Sequence, residues 1–312
     1  MKIAFVFPGQ GSQSVGMLDA FGADPEVQSV LATANEALGE DLATLIARGP
    51  AEALGLTVNT QPAMLAAGVA IYRAWRAAGG PEPAVMAGHS LGEYSALTAA
   101  GALPLAAALR LVRFRARAMQ EAVPAGSGAM AAILGLSDEA VLQACAEAAR
   151  GEVLEAVNFN APLQVVIAGH AAAVTRGCEV ARRLGAKRAV PLAVSAPFHS
   201  SLMAPAAAQL RQRLRDEPIA APRIPVINNI DVAIESEPDR IRDALARQAA
   251  GPVRWAEIVR RMAREGVTHV VECGPGRVLA GLTKRIEPAL ESLALTDPAS
   301  LAEALSRLKE GA

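Results

Sequence analysis

Residues 85–97 read VMAGHSLGEYSAL, and they constrain the fold more than any other stretch of the chain. An apolar run enters the pentapeptide Gly88-His89-Ser90-Leu91-Gly92, and helix-forming residues leave it. G-x-S-x-G between a strand and a helix marks a turn so sharp that a side chain at either flank collides with the crossing backbone, hence the two glycines. The turn commits the chain to strand–helix alternation. It also lifts the Ser90 hydroxyl onto a helix N-terminus, where free N–H groups and the positive end of the dipole favour a developing oxyanion. Two readings are open here: a tight connection with a capping serine, and a seat for a nucleophile.

The alternation extends along the chain. Ile3–Phe7 is a short apolar strand ended by Pro8-Gly9-Gln10-Gly11. Helices follow, with turn breaks near Gly49-Pro50 and Gly79-Gly80-Pro81. Residues 62–78 are Ala-rich and apolar on most sides, which predicts a central helix. Ala84–Ala87 reads as a strand, the helix after the turn reaches to near Ala102, and Pro104 suits the first turn of a helix to near Val123. The middle then changes character: AMAAILGL, VLEAVNFN, QVVIAG and KRAVPLAV read as strands, with helices SDEAVLQACAEAA and AAAVTRGCEVARRLG between them. Their order, β-α-β-β-α-β, is the split ferredoxin-like pattern. IPVINNI and THVVEC are two later strands. The expectation is an α/β protein: a large domain with a parallel-rich sheet from residues 1–125 and 197–312, and an inserted ferredoxin-like small domain at 126–196.

Composition excludes several function classes. A net charge of −1 over 312 residues argues against nucleic acid as a bulk electrostatic partner. Cys145, Cys178 and Cys273 are odd in number and scattered, which fits neither a disulfide framework nor metal spacing. The start MKIAFVFPGQGSQ lacks the form of a signal peptide, and no window gives the ~18 uncharged apolar residues of a membrane span. These features lead us to expect a soluble cytoplasmic protein without membrane contact.

A serine nucleophile needs a base. His89 adjoins Ser90, but its side chain leaves a sharp turn in another direction, which suits packing or hydrogen bonding. His269 lies inside an expected strand. His170 and His199 each stand at a strand-to-helix junction, where catalytic side chains are commonly presented, and His199 is the preferred base. No carboxylate between Ser90 and His199 stands out as a third member, so a backbone carbonyl or an amide side chain is left to orient the base.

The helix from Pro104 carries Arg110, Arg113 and Arg117 on one arc, expected to face solvent, and Arg115 opposite, beside Leu111, Val112, Ala118 and Met119. A guanidinium on an apolar stripe needs a partner. That partner is either an internal Asp or Glu or a carboxylate arriving with the substrate, for which a planar fork is well shaped. In the first loop, FPGQGSQ, no P-loop lysine follows the glycines. The Gln10 N–H is instead placed to serve with the Leu91 N–H as oxyanion donors.

FPGQGSQSVGM, GHSLGEYSAL, RARAMQEAVPAGSGAMAAI, NFNAPLQVVIAG, FHSSLM, PVINNID and ECGPGRVLAGLTKRI occur in an order that resembles the malonyl-CoA:acyl carrier protein transacylases over essentially the whole chain. The resemblance implies an α/β-hydrolase-like large domain with a ferredoxin-like insert. It implies Ser90 as nucleophile, His199 as base, Arg115 as ligand of the malonate carboxylate, Gln10 and Leu91 as oxyanion donors, and the Gln248 backbone carbonyl as the group orienting the base. Asn160 is placed on the pocket side, and Phe198 matches the form associated with malonyl. Pro197 departs from the alanine or serine common at its position. The implied partners are malonyl-CoA and phosphopantetheinylated acyl carrier protein, met transiently by a monomer, with no bound cofactor and no metal. Lys187-Arg188 and Lys284-Arg285 are basic pairs for an acidic carrier. A serine thioesterase or esterase, passing the acyl group to water, is the alternative.

Overall fold

The computed structural model describes residues 1–194 and 196–310; Ser195 and residues 311–312 of the expected domain ranges lie outside the described residues. Nine strands are described: β1 (Ile3–Phe7), β2 (Val85–Gly88), β3 (Gly128–Leu134), β4 (Leu154–Ala161), β5 (Gln164–His170), β6 (Arg188–Pro191), β7 (Val226–Ile227), β8 (His269–Cys273) and β9 (Glu291–Leu295). They form two sheets, as the alternation and the β-α-β-β-α-β block imply.

The larger sheet has the order β7-β2-β1-β8-β9, and every pair in it is parallel. All five residues of β1 are apolar and buried, because helices cover both faces. The period of two sorts them. Phe5 and Phe7 join Met86 in a core shared with the helices Thr57–Ala77 and Leu105–Glu121. Ala4 and Val6 join Val85 and Ala87 against the helices Trp255–Arg264 and Val278–Ile286. The Ala-rich helix Thr57–Ala77 is buried along most of its length, as a central element must be.

The smaller sheet is antiparallel with the order β4-β5-β3-β6, the ferredoxin-like arrangement. Helices Asp138–Ala149 and Ala171–Arg183 cover one face, where Val141 and Val174 share a core with Ile167 of β5. Ser137 caps the first of them by accepting from the Ala140 N–H. The other face turns Met130, Val166 and Ala168 toward the core of the larger unit. Among the described residues, no helix is long and apolar enough to cross a membrane.

Three expectations are corrected. β9 is an additional strand at the edge of the larger sheet; its sequence, ESLAL, buries only Leu295 fully. Of IPVINNI, only Val226 and Ile227 pair with β2, and the asparagines that follow turn to other work. Arg113 does not face solvent with Arg110 and Arg117: it is 7% exposed and pairs with Glu40 at 2.7 Å.

Candidate active site

β2 delivers the chain to the turn at Ser90, and Ser90 takes a φ of 53°, a left-handed value that few non-glycine residues hold. The flanking glycines are a matter of clearance. A Cβ on Gly88 would stand 1.8 Å from the Gly92 carbonyl carbon, and one on Gly92 would stand 2.0 Å from the Phe7 oxygen. Gly9 meets the same crossing, with a Cβ position 2.7 Å from the His89 oxygen. The first loop therefore lies directly on the turn. That proximity brings Gln10 and Leu91 into the lining of one pocket. Among the described residues, neither of their amide N–H groups is spent on a backbone carbonyl.

Ser90 Oγ lies 2.7 Å from His199 Nε2. His199 Nδ1 lies 2.8 Å from the Gln248 carbonyl oxygen. A carbonyl only accepts, so Nδ1 carries the proton and the neutral Nε2 faces the serine hydroxyl as an acceptor. His199 stands in a turn after β6 with a φ of 66°, a second left-handed residue at the same site. Burial first, and the nearby Arg115 charge second, hold its imidazole down to about 3. The ring is therefore neutral at ordinary pH.

Arg115 sits in the helix Leu105–Glu121 and is 1% exposed. Its terminal nitrogens donate to Gln61 Oε1 at 2.9 Å, Gln248 Oε1 at 3.0 Å and Ser90 Oγ at 3.2 Å. The guanidinium also lies over the Tyr94 ring, 5.3 Å from its centroid. The partners named are all neutral, which leaves the buried charge without a direct carboxylate. Gln61, Gln248 and the Ser90 hydroxyl take three of the guanidinium's five N–H groups, which leaves two for a ligand.

These groups line a pocket of about 120 Å³ with Met119, Met130, Val166 and Phe198 as its apolar wall. Met130 and Val166 come from the smaller sheet, so both units build the pocket. Asn160 stands directly behind the pocket wall: its side-chain oxygen accepts from Nε2 of the pocket-lining His89 at 2.8 Å, and Asn158, two residues earlier on β4, lines the pocket itself. His89 also packs against Trp255, with ring centroids 5.6 Å apart, as a supporting residue does. His170 is away from the pocket and accepts from the Val153 N–H at 3.0 Å. His269 is held by Glu291 and Thr268.

Two residues beneath the site escaped the sequence reading. Asn229 accepts the Ser90 N–H at 2.7 Å and donates to the Gly88 oxygen at 2.7 Å, clamping the turn from both sides. Glu93 accepts from the Asn229 N–H at 2.9 Å and from the Gln248 side chain at 3.0 Å. The signal for Glu93 was a single acid in the otherwise uncharged run GEYSALTAA.

Residues 4–310 match the family model of the acyl transferase domain. The chain is 55% identical over 305 residues to the malonyl CoA-acyl carrier protein transacylase of Escherichia coli (strain K12), covering 97% of this chain and 99% of that protein. The acyl-carrier-protein S-malonyltransferase of Burkholderia pseudomallei 1710b is similar in structure, with a TM-score of 0.97 and 63% identity over 98% of this chain and all of that one. A malonyl-transacylase solved in complex with its type II PKS acyl-carrier protein gives a TM-score of 0.97 at 51% identity, over 98% of this chain and all of that one.

Proposed function

The chain belongs to the acyl transferase domain family, and on that premise we propose that it moves the malonyl group of malonyl-CoA to the phosphopantetheine thiol of acyl carrier protein through a malonyl-serine intermediate. A single juxtaposition supports this most: the hydroxyl of Ser90 stands 2.7 Å from a neutral imidazole and 3.2 Å from a buried guanidinium that has no direct carboxylate partner.

His199 Nε2 takes the Ser90 proton as Oγ attacks the thioester carbonyl. The oxyanion rests on the Gln10 and Leu91 amides, at the positive end of the helix Gly92–Ala99. The tetrahedral centre collapses, the C–S bond breaks, and the leaving thiolate takes the proton back from His199. The carrier-protein thiol repeats the sequence in reverse, with His199 taking its proton and returning it to Ser90. Arg115 holds the free carboxylate of the acyl group in a two-pronged contact, and Phe198 closes the apolar side. The Gln248 carbonyl keeps the imidazole in the needed tautomer, the task an acid performs in a three-residue triad.

Lys187, Arg188, Lys284 and Arg285 are all exposed, and they offer positive charge to an acidic carrier protein. The enzyme acts in the cytoplasm as a monomer, and a single species of monomer mass in sedimentation velocity checks the second point.

Labelled malonyl-CoA mixed with holo acyl carrier protein tests the activity. Label on the carrier thiol, a malonyl adduct at Ser90 by intact mass, and loss of both in Ser90→Ala are expected. Rapid hydrolysis with no carrier-bound label would identify a thioesterase instead, and no adduct at all would identify a binding module.

A further inference from the structure

Glu93 is a carboxylate that the chemistry above does not use. It is 2% exposed, in a helix whose residues are all buried. Burying an acid there is costly unless something answers its charge. Its Oε2 accepts from Gln248 Nε2, and the other end of the same amide, Oε1, accepts from Arg115. Guanidinium, amide and carboxylate thus stand in a row. A direct ion pair would occupy the N–H groups that an acyl carboxylate needs. Spaced by an amide, the two charges balance each other and the fork stays open to the pocket.

A second cavity, of about 10 Å³, borders Glu93 together with Leu97, Asn228, Glu235 and Ile241, and shares no lining residue with the acyl pocket. It has room for about one water molecule. The Asn228 Nδ2 is buried without a partner among the described residues, a donor suited to hold such a water.

We infer that Glu93 is the counter-charge of Arg115 before substrate binds, and that it takes up a proton from solvent through this second cavity when an acyl carboxylate docks on Arg115. The inference rests on the malonyl-transfer reading. Burial pushes the Glu93 carboxyl up to about 7, against the opposing pull of its hydrogen bonds to Gln248 and Asn229 and of the Arg115 charge. A second carboxylate on Arg115 cancels that last pull, so Glu93 binds its proton more tightly. The negative charge that enters with the substrate is offset by the one removed at Glu93.

The other charged groups facing Glu93 are fixed by partners of their own. Asp231 is held by both terminal nitrogens of Arg247, and Glu235 lies 3.8 Å from Arg240. Tyr94, its neighbour in the same helix, is pushed by burial up to about 12 and keeps its proton. His199 stays neutral because burial, the larger cause of its low value, persists when Arg115 is neutralised.

The test is a proton count. The full-length enzyme is acylated with malonyl-CoA or acetyl-CoA in weakly buffered solution near pH 7 with an indicator dye, and each count is divided by the acylated fraction from intact mass. Thiol release contributes equally per acylation event, so the difference isolates the carboxylate. Malonyl loading is expected to take up about half a proton more than acetyl loading, since a group near its midpoint is half occupied beforehand. In Glu93→Gln the difference is expected to vanish while the malonyl adduct still forms. Equal counts for the two acyl groups in the wild-type enzyme would overturn the inference without any variant, as would a difference that persists in Glu93→Gln. Absence of the malonyl adduct would overturn the transfer reading instead.

Discussion

The Gln248 carbonyl oxygen lies 2.8 Å from Nδ1 of His199, so a main-chain atom orients the imidazole where a triad would place an acid. With burial and Arg115 holding the ring down to about 3, its base form is populated at any pH well above that value. A histidine of ordinary pKa would impose an acid limb near 6.5. Here kcat/KM for malonyl transfer is expected not to fall as pH drops from 7 to 5, and protonation of Glu93 raises it by up to about twofold over that interval. A tenfold fall over that interval would contradict the assignment of His199 as a buried neutral base.

Arg115→Ala is expected to lower malonyl transfer far more than acetyl transfer. Two charge-assisted hydrogen bonds at ~1.5–3 kcal/mol each correspond to a loss on the order of 100-fold or more. Arg115→Lys keeps the charge and loses the fork, so its loss should fall between. Measuring both acyl donors separates binding from packing: equal losses would mark Arg115 as structural.

Where the sequence was informative, the cause was local. β1 spans Ile3–Phe7 because an apolar run is cut by Pro8 and Gly9, and both facts lie within seven residues. The turn at Ser90 was legible because clearance leaves glycine as the one option at 88 and 92. What stayed hidden depended on distant partners. Arg113 is buried because Glu40 answers it across 73 positions of sequence, and helical periodicity says nothing of such a partner. Asn160 shares its chemistry with Asn158, and the β4 strand alone does not tell which one meets His89 and which lines the pocket. Glu93 and Asn229 lie 136 positions apart, and their bond exists only once β7 pairs with β2. β9 is an edge strand with one fully buried residue, too little apolar signal to separate it from a loop.

The clearance at the turn makes its own prediction. Gly92→Ala would place a methyl 2.0 Å from the Phe7 oxygen, a backbone atom of the central strand that cannot yield cheaply. A loss of more than about 3 kcal/mol is expected, read as a lower urea midpoint or as insoluble protein. Gly281→Ala, inside the helix Val278–Ile286 where a Cβ meets nothing within 4 Å, is the control and should unfold no earlier than the wild type, with a gain of up to about 1 kcal/mol from helix propensity.

Glu272 ties stability to pH. It is fully buried on β8, and Oε2 accepts from the Ala280 N–H at 2.8 Å at the start of the helix Val278–Ile286. Oε1 has no partner among the described residues. Burial pushes the carboxyl up to about 7 from 4.5, with the helix N–H groups pulling the other way. A folded-state value above the unfolded one means that the folded protein holds a proton which the unfolded chain releases. The stability this gives is complete below 4.5 and is lost as pH rises to about 7. The change is on the order of 3 kcal/mol. Glu272→Gln, whose amide does not titrate, is expected to flatten the fall in urea-unfolding free energy between pH 5 and pH 8. It should gain on the wild type at the alkaline end, while Glu93 keeps its own share of the slope. Parallel pH profiles for the two proteins would show that Glu272 is ionised in the fold throughout.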